Sequence, residues 1–165
     1  MKAARLTHLG AGGDVHMVDV SAKAITTREA RARGMVRMSA QALRAIVEGN
    51  LPKGDVMTTA RIAGIQAAKR TSELIPMCHP LALSLVDVDC TLNERLPGID
   101  VTSLVRCQGQ TGAEMEALTA VAAAALAIID MAKSADRWMT IEGITLVEKR
   151  GGKSGTQRRP RRVSP

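Results

Sequence analysis

The sequence predicts an α+β sandwich in which an antiparallel sheet is covered by helices. Two observations carry that reading: segments with the two-residue period of half-buried strands, and an Ala-rich stretch with the 3.6-residue period of a helix. Their order along the chain, strands, then helices, then a hairpin, a helix and a last strand, makes a ferredoxin-like arrangement the leading topology.

Each element has its own signal. Residues 1 to 14 are Gly-rich and aperiodic and read as a flexible leader. The alternation of His16, Met17, Val18, Asp19 and Val20 suggests a first strand, and residues 28 to 38 a second. Ser39 stands where a helix N-cap belongs, before Leu43, Ile46 and Val47 at helical spacing, and Gly49 supplies a stop. Asp55 is the cap candidate for a longer helix over 55 to 74, with Ile62, Ile65 and Ala68 on one face. Pro76 and Pro80 restrict the backbone around Met77, Cys78 and His79, which marks a fixed loop, a setting that suits a site. The runs 83 to 92 and 99 to 108 are joined through Pro97 and Gly98 and read as an antiparallel hairpin. Thr111 to Ala135 predicts the long helix, and 139 to 148 a closing strand. The organisation expected is therefore a leader (1–14), a single α+β domain (15–150), and a Gly-rich segment with a disordered basic tail (151–165).

Composition narrows the setting. With 165 residues and Trp138 as the sole aromatic, the core has to be made from Ala, Val, Leu, Ile and nine Met. A core without large anchors makes subunit association a plausible way to bury more apolar surface. The net charge of +7 invites a polyanionic partner. However, five of the 23 cations (Lys153, Arg158, Arg159, Arg161 and Arg162) lie past residue 152, which leaves 18 against 16 carboxylates in the rest. Three cysteines without C-x-x-C spacing suggest neither a disulfide framework nor a zinc knuckle, and a cytoplasmic setting fits them. The run 120 to 129 is too short to span a bilayer.

Familiar chemical motifs are ruled out first. Gly152, Lys153 and Ser154 imitate the end of a Walker loop, but Val147 occupies the place of its first glycine and no helix follows. Gly10, Gly12 and Gly13 follow no strand. Cys78 and His79 are neighbours in sequence, which seldom aim at one atom, and with His8 and His16 they show no metal-ligand spacing. Asp130 and Lys133 share a helix face, as an ordinary ion pair would. Glu114 and Glu116 suit the first turn of the same helix electrostatically. Fourteen residues separate Glu116 from Asp130, about 21 Å along a helix axis, so both can serve one small reacting centre only if two subunits build it.

Longer strings carry more weight. MVDVSAKAITTREARA (17–32), KGDVMTTARIAGIQAAKRTSELIPMCHPLALS (53–84), TGAEMEALTAVAAAAL (111–126), IDMAKSAD (129–136) and GGKSG (151–155) resemble the molybdenum cofactor biosynthesis protein C family, the cyclic pyranopterin monophosphate synthases. The resemblance runs from Leu6 to Gly155. It implies a ferredoxin-like fold assembled as a hexamer, a trimer of dimers, with sites at the dimer interface. It implies the substrate (8S)-3′,8-cyclo-7,8-dihydroguanosine 5′-triphosphate and the products cyclic pyranopterin monophosphate and pyrophosphate. Matched motif by motif, Lys53, His79, Asp130 and Lys133 are the implied catalytic residues. Met77, Cys78, His79, Glu114, Met115 and Glu116 match substrate-contacting loops, and Lys23, Arg28, Lys69, Lys149 and Lys153 match basic positions for the phosphates. Met77 and Ala132 depart from the usual Leu and Cys and leave the polar set intact. No cofactor is required on this reading, magnesium can accompany the triphosphate, and neither a metal cage, a membrane nor a nucleic acid is expected. The competing readings are a nucleic-acid-binding module, argued from the RRPRR stretch at 158 to 162, and a non-catalytic assembly protein built on the Ala-rich helix.

Overall fold

A computed structural model describes residue 14 and residues 16–160. The expected leader, apart from Asp14, and the last five residues of the expected tail lie outside the described residues. The elements are β1 (Thr26–Arg37), α1 (Ala40–Val47), α2 (Val56–Lys69), α3 (Thr71–Leu74), β2 (Leu83–Asn93), β3 (Gly98–Gly109), α4 (Glu114–Ala132), β4 (Thr140–Arg150) and β5 (Gln157–Arg158). Every neighbouring strand pair is antiparallel, in the order β2-β3-β1-β4-β5. The first four strands and the helices between them have ferredoxin-like topology, as the sequence order suggested.

The inward face of β1 explains how a core with no aromatic closes. Ala30, Ala32, Gly34 and Val36 point in, and Arg31, Arg33 and Arg37 point out. Against the small inward residues lies α4, whose Ala117, Ala120, Val121, Ala124, Ala125 and Ile128 are fully buried. A Cβ on Gly34 would come within 2.9 Å of a Val121 methyl. On α2, Ala60, Gly64 and Ala68 recur every fourth residue and are buried, with the Gly64 backbone pressed on α4. Close backbone approach replaces bulk, and interdigitation at near-crystalline density supplies the dispersion energy that large rings would otherwise contribute.

Caps fall where the sequence put them. The Ser39 hydroxyl accepts from the Ala42 N–H at 3.2 Å, and the Asp55 carboxylate accepts from the Thr58 N–H at 3.0 Å. Opposite Gly34, β4 carries a bulge between its pairings with Arg33 and Met35. Gly143 sits in that bulge at φ +62, a region that favours glycine.

Four expectations need correction. Residues 16 to 20 form no strand, because β1 starts only at Thr26 and no neighbour supplies a ladder. The helix expected over 55 to 74 breaks at Arg70 (φ −111, ψ 14) and resumes as the single turn α3. Thr71 is buried there, and its hydroxyl donates to the carbonyls of Ala67 and Ala68, competing with continuation of the helix. α4 starts three residues later than expected, at Glu114. Finally, the stretch after Gly151 is not all without structure: Gln157 and Arg158 pair with Lys149 and Glu148, and the Arg158 guanidinium meets Glu148 at 2.6 Å.

The tight α2–α4 contact yields a direct test. A Cβ on Gly64 would lie 2.8 Å from the Ala120 carbonyl oxygen and 3.1 Å from both Val88 methyls. Gly64→Val should therefore destabilise the fold by about 1–3 kcal/mol, read as a lower midpoint in thermal unfolding. Unaltered melting would mean that the two helices do not meet this closely.

Candidate active site

Two groups of polar side chains stand at opposite ends of α4. At its C-terminal end, the Asp130 carboxylate joins two ammonium groups. Lys53 Nζ lies 2.6 Å from Oδ2 and also donates to the Asp130 carbonyl at 3.0 Å, while Lys133 Nζ lies 2.8 Å from Oδ1. Lys133 comes from the next helical turn, as the spacing predicted. Lys53 arrives from the loop before α2, 77 positions away in sequence. All three side chains are open to solvent, at the wall of a cleft of about 450 Å³ that also includes Ser134 and Arg137. The hydrogen bond from Lys133, then that from Lys53, lowers the Asp130 carboxyl from its ordinary 3.8 to about 2.

At the N-terminal end of α4, the proline-bracketed loop does form a wall. Met77, Cys78 and His79 face Glu114, Met115 and Glu116 across a cleft of about 410 Å³, with Lys23, Val18 and Val20 on its rim. Glu116 is only 4 % exposed, and burial raises its carboxyl above the usual range, helped by the Glu114 charge. Burial likewise raises the Cys78 thiol, with Glu116 adding to the effect, so Cys78 is protonated at neutral pH and a poor nucleophile. Asp19 is held low by its hydrogen bonds with Ser21, and His79 adds a weaker pull.

A second cleft, of about 760 Å³, continues from the first through Lys23, Thr111, Gly112 and Glu114. Arg28, Lys149 and Lys153 are on its walls. Two of these cations are already engaged: Lys149 with Glu114 at 2.9 Å, and Arg28 with the carbonyls of Gly109 and Gln110. Lys23 and Lys153 complete a cationic lining suited to an oligophosphate.

The fold thus brings the expected residues into two places, not one. Lys53, Asp130 and Lys133 line a cleft that shares no residue with the pair at the other end of the helix. Lys69 lines none of these clefts; it is exposed in the last turn of α2, where a cation complements the helix dipole. Gln110, Thr111, Gly112, Ser154 and Arg137 line the clefts and were not singled out from the sequence. They are short or uncharged loop residues, or in the case of Arg137 one cation among many, so residue type carried no signal. Among the described residues, no group of three or more His, Cys, Asp or Glu could hold a metal ion.

Fold and clefts together define a class: a ferredoxin-like α+β protein with a cation-lined cleft at one end of its long helix and a separate Lys-Asp-Lys group at the other. Residues 17–152 match the MoaC family, and the chain belongs to that family. A cyclic pyranopterin monophosphate synthase of Methylobacterium sp. strain 4-46 is 60 % identical over 153 residues, 93 % of this chain and 96 % of the relative. Proteins of the same name from Methylobacterium nodulans and Chloroflexus aurantiacus are 60 % identical over 150 residues and 56 % identical over 156, covering 91 % and 94 % of this chain and 94 % and 96 % of their own lengths.

The Asp130 group makes a testable electrostatic claim. Its folded-state carboxyl titrates below the ordinary value, so the charge persists through neutral pH and is lost only as pH falls through about 2. In side-chain carbon NMR, Lys133→Met and Lys53→Met should each move that midpoint up toward 3.8, Lys133→Met the further. A parent midpoint already at 3.8 would contradict the geometry.

Proposed function

We propose that this protein converts (8S)-3′,8-cyclo-7,8-dihydroguanosine 5′-triphosphate to cyclic pyranopterin monophosphate with release of pyrophosphate. It is an enzyme of molybdenum cofactor biosynthesis, a cyclic pyranopterin monophosphate synthase. The observation that carries the reading is family membership over most of the chain, combined with a continuous cleft that offers buried polar groups at one end and cations at the other.

The reaction opens the five-membered ring of the purine, builds the pterin ring and closes a cyclic phosphate as pyrophosphate leaves. Each step moves protons, and none changes the redox state of the protein. The guanine-derived part suits the cleft between His79 and Glu116, where burial raises the Glu116 carboxyl above its ordinary value and leaves it a polar partner in a largely desolvated wall. The triphosphate suits the contiguous cleft with Lys23, Arg28, Lys149 and Lys153, whose charges would stabilise the negative charge that builds on departing pyrophosphate. Magnesium can accompany the phosphates there; no protein cage is needed for it.

Proton transfer falls to Lys53 and Lys133, oriented by Asp130. Within one chain Asp130, which holds both lysines, lies about 21 Å along α4 from Glu116, too far for the two ends to meet at one small reacting centre. A second copy has to bring the lysines, and the exposed apolar residues between the two ends of α4, Met115 and Leu126, offer a surface for it. We take the assembly to be a dimer-based hexamer with each site at a dimer interface, in the cytoplasm. The oligomer is therefore part of the active site and not only a means of burying surface.

Lys53→Ala, Asp130→Ala and Lys133→Ala should each slow pyrophosphate release from the cyclised nucleotide by about 10²- to 10⁴-fold, measured with purified protein in steady state. Near-parental rates in all three variants would remove the proposed catalytic group. Failure of the parent itself to form a pterin from that substrate would remove the function.

A further inference from the structure

The walls of the two contiguous clefts are not equally supported. His79 sits between prolines, Glu114 and Glu116 on α4, and Lys149 on β4. Lys23, on the rim of both clefts, belongs to a stretch with no regular secondary structure and exposed backbone neighbours, Ser21 to Ile25. Inside that stretch the hydrogen bonds are local: Lys23 N–H to the Val20 carbonyl at 2.9 Å, and the Ser21 N–H and hydroxyl to the Asp19 carboxylate at 2.8 and 2.6 Å. Local turns do not fix where the stretch sits relative to the clefts.

Gln110 does. Its side-chain amide donates to the Ser21 carbonyl at 3.0 Å and to the Lys23 carbonyl at 2.9 Å. Two carbonyl acceptors require the NH₂ end of the amide to face them, which settles its orientation chemically. The base of this arm is itself held, since Arg28 donates to the Gln110 carbonyl at 3.3 Å and to that of Gly109 at 3.2 Å. Topology accounts for the meeting: Thr26 at the start of β1 pairs with Gly109 at the end of β3, so Gln110 emerges beside the residues that lead into β1. Both donor positions of one uncharged side chain are thereby spent on the backbone of the segment that carries Lys23.

We propose that Gln110 is a positioning residue for substrate binding: it holds the Ser21–Lys23 backbone so that the Lys23 ammonium is presented to the phosphates at the junction of the two clefts. This rests on the substrate reading given above. Gln110 touches no reacting atom on this account; it reduces the conformational freedom that Lys23 would otherwise lose each time a substrate binds, which is preorganisation of a loop by a side chain. Its signature is therefore a binding effect with the chemical step preserved.

The test compares the parent with Gln110→Met, which keeps the length and neutrality but has no donor, and Gln110→Asn, which is one methylene shorter and can reach one carbonyl. KM for the cyclised triphosphate should rise on the order of five- to tenfold in the Met variant and less in the Asn variant, with kcat within about twofold of the parent. Backbone amides of residues 17 to 24 should exchange with deuterium faster in the same order, with or without substrate. A lowered unfolding temperature with unchanged KM and unchanged exchange in that segment would assign Gln110 a merely structural role and overturn the proposal. Should the Met variant not fold, the Asn variant alone decides, since unchanged KM and exchange in it are equally fatal. Should the parent not turn over the nucleotide, the substrate reading fails, while the exchange measurement still decides whether Gln110 holds the segment.

Discussion

A rod of fixed length organises this protein. α4 is 19 residues long, lies on the inward faces of β1 and β3 and against α2, and cannot bend or slide without lifting Ala120, Val121 and Ala124 out of their buried contacts. Its composition would suit a membrane span, with a mean hydropathy of 1.7, but half of that window is buried inside the fold. Because the rod is rigid, the groups at its two ends have a separation that no side-chain motion can close. Glu114 and Glu116 belong to one place, Asp130 and Lys133 to another. A nucleotide site that draws on both ends can exist only between two copies of the chain, and the aromatic-poor composition that calls for extra apolar burial points the same way.

Electrostatics in the clefts follow from the same frame. Lys149 and Arg28 are inward-facing strand residues whose charges meet Glu114 and backbone carbonyls, so they are fixed in place before any ligand arrives. Fixed charges lose little freedom on meeting a phosphate and need no reorganisation as charge develops, the condition under which electrostatic stabilisation of a leaving group is most effective. Lys23 differs in being carried by an irregular segment, and its position depends on a neutral amide. Glu116, in contrast, is set chiefly by burial, with the Glu114 charge adding to it, and its carboxyl is raised above that of an exposed glutamate.

What could be read from the sequence divides along physical lines. Local signals were legible: Ser39 and Asp55 cap the helices they precede, the strand expected over 28 to 38 falls on β1, and Pro97 with Gly98 lies in the connection between β2 and β3, Gly98 opening β3. Signals that depend on partners were not. The alternation at 16 to 20 looked like a strand, but it has no neighbouring edge to pair with. The Arg-rich stretch after residue 155 looked incapable of structure, but Glu148 on β4 meets Arg158. The break at Arg70 depends on the burial of Thr71, which only the packed structure supplies. In the site, Asp130 and Lys133 were legible as neighbours on a helix, and Lys53 reached them only through its family motif, since 77 residues of chain separate it from its partner. Gln110 was invisible, because nothing in an uncharged residue at a strand end announces what its amide will hold.

The claim on which the account rests is that one copy supplies His79 and its cleft while the other supplies Asp130 and its two lysines. Mixing subunits tests it most directly. His79→Ala and Asp130→Ala chains, each inactive alone, are co-expressed with different tags and assembled at equal ratio, and pterin formation is measured. An interface shared by two-fold symmetry leaves one intact site in every mixed dimer, so roughly a quarter of the parental rate should return. A mixture as inactive as its components would contradict a site built from two chains.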